Sequence, residues 1–114
     1  MKSHDGMEGT GEVYVQCDVT DPGEWRELVI WFHTSGNVFV KVLQLAPLSE
    51  PRFAENPEKT SKLRALTKMT SEHVEARLHI TKPSCYDSGT YSCWLSSVHH
   101  SNVIAATNLV VYSE

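Results

Sequence analysis

Apolar and polar residues alternate along several short stretches of this chain. The clearest case is Glu-Val-Tyr-Val-Gln-Cys-Asp-Val at 12–19, in which every second residue from Val13 to Val19 is a valine or Cys17. Because successive side chains of a β-strand point to opposite faces, this pattern predicts a strand whose core face carries the cysteine. Residues 74–80 alternate in the same way and predict a second strand of this kind.

Turn-rich segments separate these stretches, and no helix-period pattern of helix length occurs. Pro22-Gly23 follows the first long strand, and residues 45–61, with three prolines, predict a loop that holds at most one ragged strand. The predicted strands cover residues 12–19, 28–34, 38–44, 62–68, 74–80, 89–95 and 103–112, and a first strand before them is short or missing. The pattern therefore indicates an all-β fold.

Length and charge narrow the classes of function. A chain of 114 residues predicts one domain over 1–114, with residues 1–11 as either a tag remnant or a frayed start. The net charge is −4, from 10 basic and 14 acidic residues, and the basic residues are scattered, which argues against nucleic-acid binding. No apolar run approaches the roughly 20 residues of a membrane span, so membrane attachment would need segments absent from this chain.

A set of spaced residues resembles the variable-type (V-set) immunoglobulin domain. Trp31 lies in the predicted strand after Cys17, and the run Asp87-Ser88-Gly89-Thr90-Tyr91-Ser92-Cys93 places Tyr91 two residues before Cys93. The resemblance implies an immunoglobulin V-type two-sheet antiparallel sandwich with Greek-key connections. In that family the predicted strands carry the letters B, C, C′, D, E, F and G in chain order.

The resemblance also assigns structural roles. It implies a disulfide between Cys17 and Cys93, with Trp31 packed against it in the core, and a turn closed by the Tyr91 hydroxyl. By the same resemblance, Asp87 pairs with Arg64 at the start of strand D. A disulfide forms in an oxidising compartment, which implies an extracellular protein at the cell surface or secreted.

Departures from the family pattern bear on the function. Antigen-receptor variable domains carry a Phe-Gly-x-Gly bulge in strand G, whereas residues 104–111 contain no glycine. The resemblance therefore implies the ligand-recognition ectodomain of a cell-surface immune-type or adhesion receptor, which binds a protein partner or, as a homodimer, itself. Three alternatives remain: an antigen-receptor-like variable chain, a secreted lectin-like effector that binds glycans or microbial surfaces, and a structural spacer module.

The alternation predicts a binding face on the sheet formed by strands G, F, C and C′. If Trp31 and Cys93 face the core, their neighbours along the strands face outward. The apolar residues predicted to lie outward are Ile30, Phe32, Trp94 and Ile104. A contiguous exposed patch that contains Trp and Phe is typical of an interface, unless the 45–61 loop covers it.

The loops at one end of the sandwich are a second candidate for binding. Trp25 is predicted to lie in the B–C loop, and Val98, His99 and His100 in the F–G loop. The two adjacent histidines lack the further ligands that a structural zinc site needs, so no metal is expected.

Three cysteines leave one unpaired after a single disulfide. Cys85 is left over and is a buried free thiol, an exposed thiol able to link two chains, or half of a bridge to an absent segment. No Gly-x-Ser-x-Gly motif or glycine-rich phosphate loop occurs, and a small sandwich leaves little concavity for a substrate. Neither catalysis nor a cofactor is expected.

Overall fold

β-Strands make up most of the computed structural model, which describes residues 1–9, 12–33, 38–53, 62–98 and 100–113. The strands are β1 (Lys2–His4), β2 (Gly6–Met7), β3 (Glu12–Thr20), β4 (Trp25–His33), β5 (Phe39–Leu45), β6 (Arg52–Phe53), β7 (Leu63–Met69), β8 (His73–Thr81), β9 (Gly89–Ser97), β10 (Ser101–Leu109) and β11 (Val111–Tyr112). A turn of 3₁₀ helix, Cys85–Asp87, connects β8 to β9. Within these ranges, no helix is long and apolar enough to cross a membrane.

The strands form two main antiparallel sheets, with orders β1-β3-β8-β7 and β10-β9-β4-β5-β6. Between these two sheets the chain crosses from β3 to β4, returns from β6 to β7, and crosses again from β8 to β9. This is an immunoglobulin-like sandwich, in which β3, β4, β7, β8, β9 and β10 correspond to strands B, C, D, E, F and G. The strands β5 and β6 extend the second sheet as C′ and C″ do in the variable type. The predicted all-β class and two-sheet architecture are confirmed.

The start of the chain forms two short strands with different partners, and the second of them makes a separate two-stranded sheet. β1 pairs antiparallel with β3, whereas β2 pairs parallel with β11. The crossing is held by the Ser3 hydroxyl, which donates to the Asn108 carbonyl at 2.9 Å, and by the Asp5 carboxylate, which accepts the Val110 N–H at 3.0 Å. Residues 2–4 and 6–7 are therefore paired strands, and the first strand is short, as predicted.

Side chains from the inner faces of both sheets fill the core. In β3 and β8 the predicted alternation is confirmed, because Val15 opposes Leu78 and Cys17 opposes Ala76, all of them buried. The disulfide joins Cys17 on β3 to Cys93 on β9 and so links the two sheets, with a Cα–Cα distance of 6.3 Å. The pairing that the resemblance implied is confirmed.

The element bounds differ from prediction mainly on the second sheet. β4 begins at Trp25, earlier than predicted, and the 45–61 segment contains the short strand β6, paired with β5. The predicted last strand divides into β10 and β11, and β10 contains a bulge between Val103 and Ala105 that needs no glycine. The later part of the 45–61 loop lies outside the described residues.

Candidate functional site

The pairing of β4 with β9 sets which side chains face outward. Ile30 opposes Cys93, Phe32 opposes Tyr91, and Trp31 opposes Ser92. Residues that oppose each other directly point to the same side of a sheet, so Ile30 and Phe32 face the core and Trp31 faces outward. Ile30 and Phe32 are buried, and the Phe32 ring packs on the Tyr91 ring with centroids 4.9 Å apart.

Three sequence predictions are therefore wrong. Trp31 does not face the core, and Ile30 and Phe32 do not lie on the exposed face. The reason is that residues 28–32, Leu-Val-Ile-Trp-Phe, are all apolar. An unbroken apolar run carries no alternation, so only the pairing with β9 decides which of its residues face the core; this choice is called here the phase of the strand.

The outward side of β10, β9, β4 and β5 is called here the GFCC′ face. Its side chains form four rows across the sheet: Ser101, Ser96 and Glu27; Val103, Trp94, Val29 and Gln44; Ala106, Ser92, Trp31 and Lys41; Asn108, Thr90, His33 and Phe39. Trp94 lies on this face, as predicted. Ile104 is also exposed, as predicted, and sits in the β10 bulge.

A cleft of about 240 Å³ opens on the GFCC′ face. Its lining combines three aromatic side chains, one buried valine and three polar residues: Trp31, Trp94, Phe39, Val29, Glu27, Ser96 and Ser101. Trp31 and Trp94 belong to adjacent strands and neighbouring rows, and both line the cleft with Val29 because the pairing with β9 turns Trp31 outward. The cleft is thus a direct product of the strand register.

Hydrogen bonds to a buried hydroxyl hold the aromatic side of the cleft in place. The Trp94 indole Nε1–H donates to Ser92 Oγ at 3.1 Å, and His33 Nε2 lies 2.7 Å from the same oxygen. The His33 ring in turn packs against Phe39, with ring centroids 4.3 Å apart. Ser92 is 2% exposed, so its hydroxyl is a fixed anchor beneath the face.

The polar end of the cleft is acidic and also ordered. The Gln44 amide donates to the Glu27 carboxylate, and the Ser96 hydroxyl donates to Ser101 Oγ at 3.1 Å. On the next strand, Lys41 Nζ lies 5.5 Å from the centroid of the Trp31 ring, a cation–π distance. The face therefore presents aromatic surface with a carboxylate at one end and an ammonium beside it.

Exposed apolar side chains border the cleft. Phe39 is 56% exposed and Val103, opposite Trp94, is 52% exposed. Sequence reasoning missed both. Phe39 faces outward because it pairs with His33, which lies on the same outward side of β4 as Trp31. Val103 faces outward because the bulge at Ile104 shifts the alternation of β10.

The loop predictions have mixed outcomes. Trp25 is wrongly placed in a loop: it is the first residue of β4 and is buried in the core. Val98 and His100 are exposed, and the Ser97 N–H donates to the His100 carbonyl at 2.7 Å to close the turn. His99 lies outside the described residues.

The turn before β9 has the predicted tyrosine but a different cation. The Tyr91 hydroxyl donates to the Asp87 carbonyl at 2.7 Å, which confirms the predicted closure. The Asp87 carboxylate accepts the Ser84 N–H at 2.8 Å and pairs with Lys62 Nζ at 3.2 Å. Burial, and secondly the Asp87 charge, raise the pKa of the Tyr91 phenol well above its ordinary value.

Arg64 is therefore wrongly assigned as the partner of Asp87. Arg64 lies within β7, opposite His79 on the exposed side of the first sheet. Lys62 precedes that strand, and its side chain reaches the turn. Spacing along the chain correctly indicated a basic residue near Asp87, but that residue is Lys62, because Arg64 lies within β7 on the exposed side of the sheet.

Two other groups of reactive side chains lie away from the cleft. Cys85 is an exposed free thiol, which excludes the buried alternative. On the first sheet, Asp18, His73 and Glu75 bring ligand atoms within 4.8 Å of one another. They lie at the surface and number three, one fewer than a structural zinc site uses, and His73 Nε2 already lies 3.7 Å from Asp18 Oδ1.

Comparison with known proteins adds no assignment. The chain matches no protein-family model, and no curated protein matches it significantly. The fold and the geometry of the cleft are therefore the basis for assigning a function.

Proposed function

We propose that the chain is a V-set immunoglobulin domain that serves as the ligand-recognition ectodomain of a cell-surface immune-type or adhesion receptor. The strands β5 and β6 beside β4 and the Tyr91–Asp87 turn support the variable type. The disulfide between Cys17 and Cys93 supports an extracellular location, because such bonds persist in oxidising compartments. Recognition proceeds without catalysis.

The observation that carries this proposal is the aromatic cleft on the GFCC′ face. A flat sheet side with Trp31, Trp94 and exposed Phe39 and Val103 resembles the core of a protein interface. Tryptophan is enriched among residues that dominate binding energy, and the bond from Trp94 to Ser92 already orders one of the two indoles, which lowers the entropic cost of association. The partner is a protein, and a second copy of this domain is one candidate.

The lectin-like alternative loses its main support in the structure. It relied on Trp25 as an exposed loop aromatic, and Trp25 is buried in the core. The antigen-receptor alternative still lacks the glycine-framed bulge in strand G.

Cell staining with streptavidin tetramers of the biotinylated domain tests the proposal. Wild type is compared with Trp94→Ala and with Leu66→Ala, which truncates a 60%-exposed side chain on the opposite sheet. Staining that Trp94→Ala abolishes and Leu66→Ala retains supports the GFCC′ face. Staining that both variants retain contradicts it.

Sedimentation equilibrium on the same variants tests self-association. Cys85→Ser is used as the background, so that the exposed thiol cannot link two chains. A dimer that dissociates only in Trp94→Ala places the two-fold interface on the GFCC′ face. A monomer in all samples excludes the homodimer and leaves a different protein as the partner.

A further inference from the structure

We infer that the cleft on the GFCC′ face accepts an arginine side chain of the partner protein; this inference rests on the proposed function. Its lining includes the aromatic side chains of Trp31, Trp94 and Phe39, and its polar end carries the Glu27 carboxylate. A planar cation that stacks on aromatic rings and bonds to a carboxylate satisfies both parts of this lining at once.

Size favours a side chain over a larger ligand. The cleft measures about 240 Å³. Sites for drug-sized molecules usually measure about 300–1,000 Å³, so this cleft is below their range. One long side chain projecting from a partner surface fits the volume, and the flat face around it fits the partner's surface.

The charges of the described residues favour a cation. Glu27 is the ionisable residue in the lining, and the bond from Gln44 occupies one of the several acceptor positions of its carboxylate. Lys41 Nζ lies 5.5 Å from the Trp31 ring centroid but does not belong to the lining, so the charge inside the cleft is the Glu27 carboxylate. The whole chain is also acidic, with a net charge of −4, which favours the approach of a basic partner.

Arginine fits better than lysine for reasons of shape. The guanidinium is planar and can stack between indoles while it donates to a carboxylate through two N–H groups. The hydroxyls of Ser96 and Ser101 lie beside Glu27 in the same row, where they can accept further N–H donors. A lysine ammonium, as a point charge, would use the carboxylate but little of the aromatic wall.

The test uses N-acetyl-arginine amide as the probe and N-acetyl-citrulline amide as its uncharged isostere. The signals followed are the indole Nε1–H resonances of Trp31 and Trp94 in the ¹⁵N-labelled domain, with buried Trp25 as an internal reference. Arginine amide is expected to shift the two cleft indoles with a dissociation constant on the order of millimolar, because an isolated side chain brings few atoms. Citrulline amide is expected to bind about tenfold more weakly.

Glu27→Gln supplies the matched variant. Glutamine keeps the size of the side chain and still accepts the Gln44 bond, so the fold and cleft are retained while the charge is removed. Arginine binding should fall to the citrulline level, whereas Glu72→Gln, at an exposed turn, should leave it unchanged. Equal shifts from the two probes on the wild-type domain, or no shift of either indole, would overturn the inference without reliance on any variant.

The inference and the proposed function can fail separately. Loss of cell staining in Trp94→Ala without an arginine-specific shift overturns the arginine site and leaves the proposed face standing. Arginine-specific binding in the cleft combined with unchanged staining supports the site and contradicts the proposed role of the face.

Discussion

The indole of Trp94 is tied to the hydroxyl of Ser92, two residues earlier on the same strand, by a hydrogen bond of 3.1 Å. Both side chains belong to the outward side of β9, but Ser92 is buried and Trp94 is partly exposed. His33 bonds to the same hydroxyl from β4. One buried oxygen therefore orders an aromatic residue on each of two strands beneath the proposed binding face.

Ser92→Ala is expected to loosen the cleft. Loss of the anchor should lower the free energy of unfolding by about 1 kcal/mol, the usual net value of a hydrogen bond. It should also speed hydrogen exchange at Trp94 Nε1–H, which NMR measures directly. Ser96→Ala, on the same strand and face, is the control and should leave that exchange rate unchanged.

The phase of β4 is tested by truncating neighbouring aromatic residues. Phe32→Ala should lower the free energy of unfolding by about 3–5 kcal/mol, because its ring is buried against Tyr91. Trp31→Ala should lower it by only about 1 kcal/mol, since its ring lines an open cleft. Urea unfolding of the two variants measures both losses of free energy. A larger loss for Trp31→Ala than for Phe32→Ala would place Trp31 in the core.

The sequence predicts the first sheet better than the second for a physical reason. β3 and β8 have one apolar and one polar face, so alternation alone sets which residues are buried. The central part of β4 is apolar on both faces, because its outward residues Val29 and Trp31 line the cleft. Alternation disappears where the proposed binding face is apolar, so the apolar surface that suggests a function also removes the sequence signal for which residues of β4 face the core.

The turn before β9 is also predicted only in part by the sequence. The Tyr91–Asp87 closure depends on residues close together along the chain, and the sequence predicts it correctly. The cation that pairs with Asp87 comes from another strand, and Lys62 and Arg64 are both basic and only two residues apart. Choosing between them requires knowing where β7 begins, which the turn residues do not indicate.

Stability should decrease in strong alkali because of Tyr91. Its phenol has a raised pKa in the folded state and an ordinary value of about 10 when unfolded. Below pH 10 both states keep the proton, and as pH rises toward the folded-state pKa the unfolded state releases it first. Folding free energy is therefore lost above about pH 10, at up to about 1.4 kcal/mol per pH unit.

Tyr91→Phe removes this contribution and its hydrogen bond to Asp87. It should be less stable than wild type by about 1 kcal/mol at pH 7, with a shallower decline between pH 10 and 12. Denaturant unfolding across this range measures both effects. Tyr86→Phe, at an 84%-exposed position, is the control and should follow the wild-type curve.

Gly89 is expected to tolerate no side chain. Its φ is +152°, and a Cβ atom there would lie 3.0 Å from the Phe32 ring. Gly89→Ala should combine backbone strain of about 1–3 kcal/mol with displacement of a buried ring. Thermal unfolding should show a larger loss than for Gly23→Ala, where φ is +67° and nothing lies within 4 Å of the added atom. Equal losses would show that the Phe32 contact adds nothing.

The parallel pairing of β2, near the start of the chain, with β11, near its end, has a mechanical consequence. β2 and β11 run parallel, so tension applied at the two ends of the chain draws them past each other lengthwise. The bonds from Gly6 N–H to Val110 and from Glu8 N–H to Tyr112 are then loaded together rather than opened one after another. If this pair yields, the Cys17–Cys93 bond still prevents residues 17 to 93 from extending, so the stretched domain would lengthen mainly through its two terminal segments.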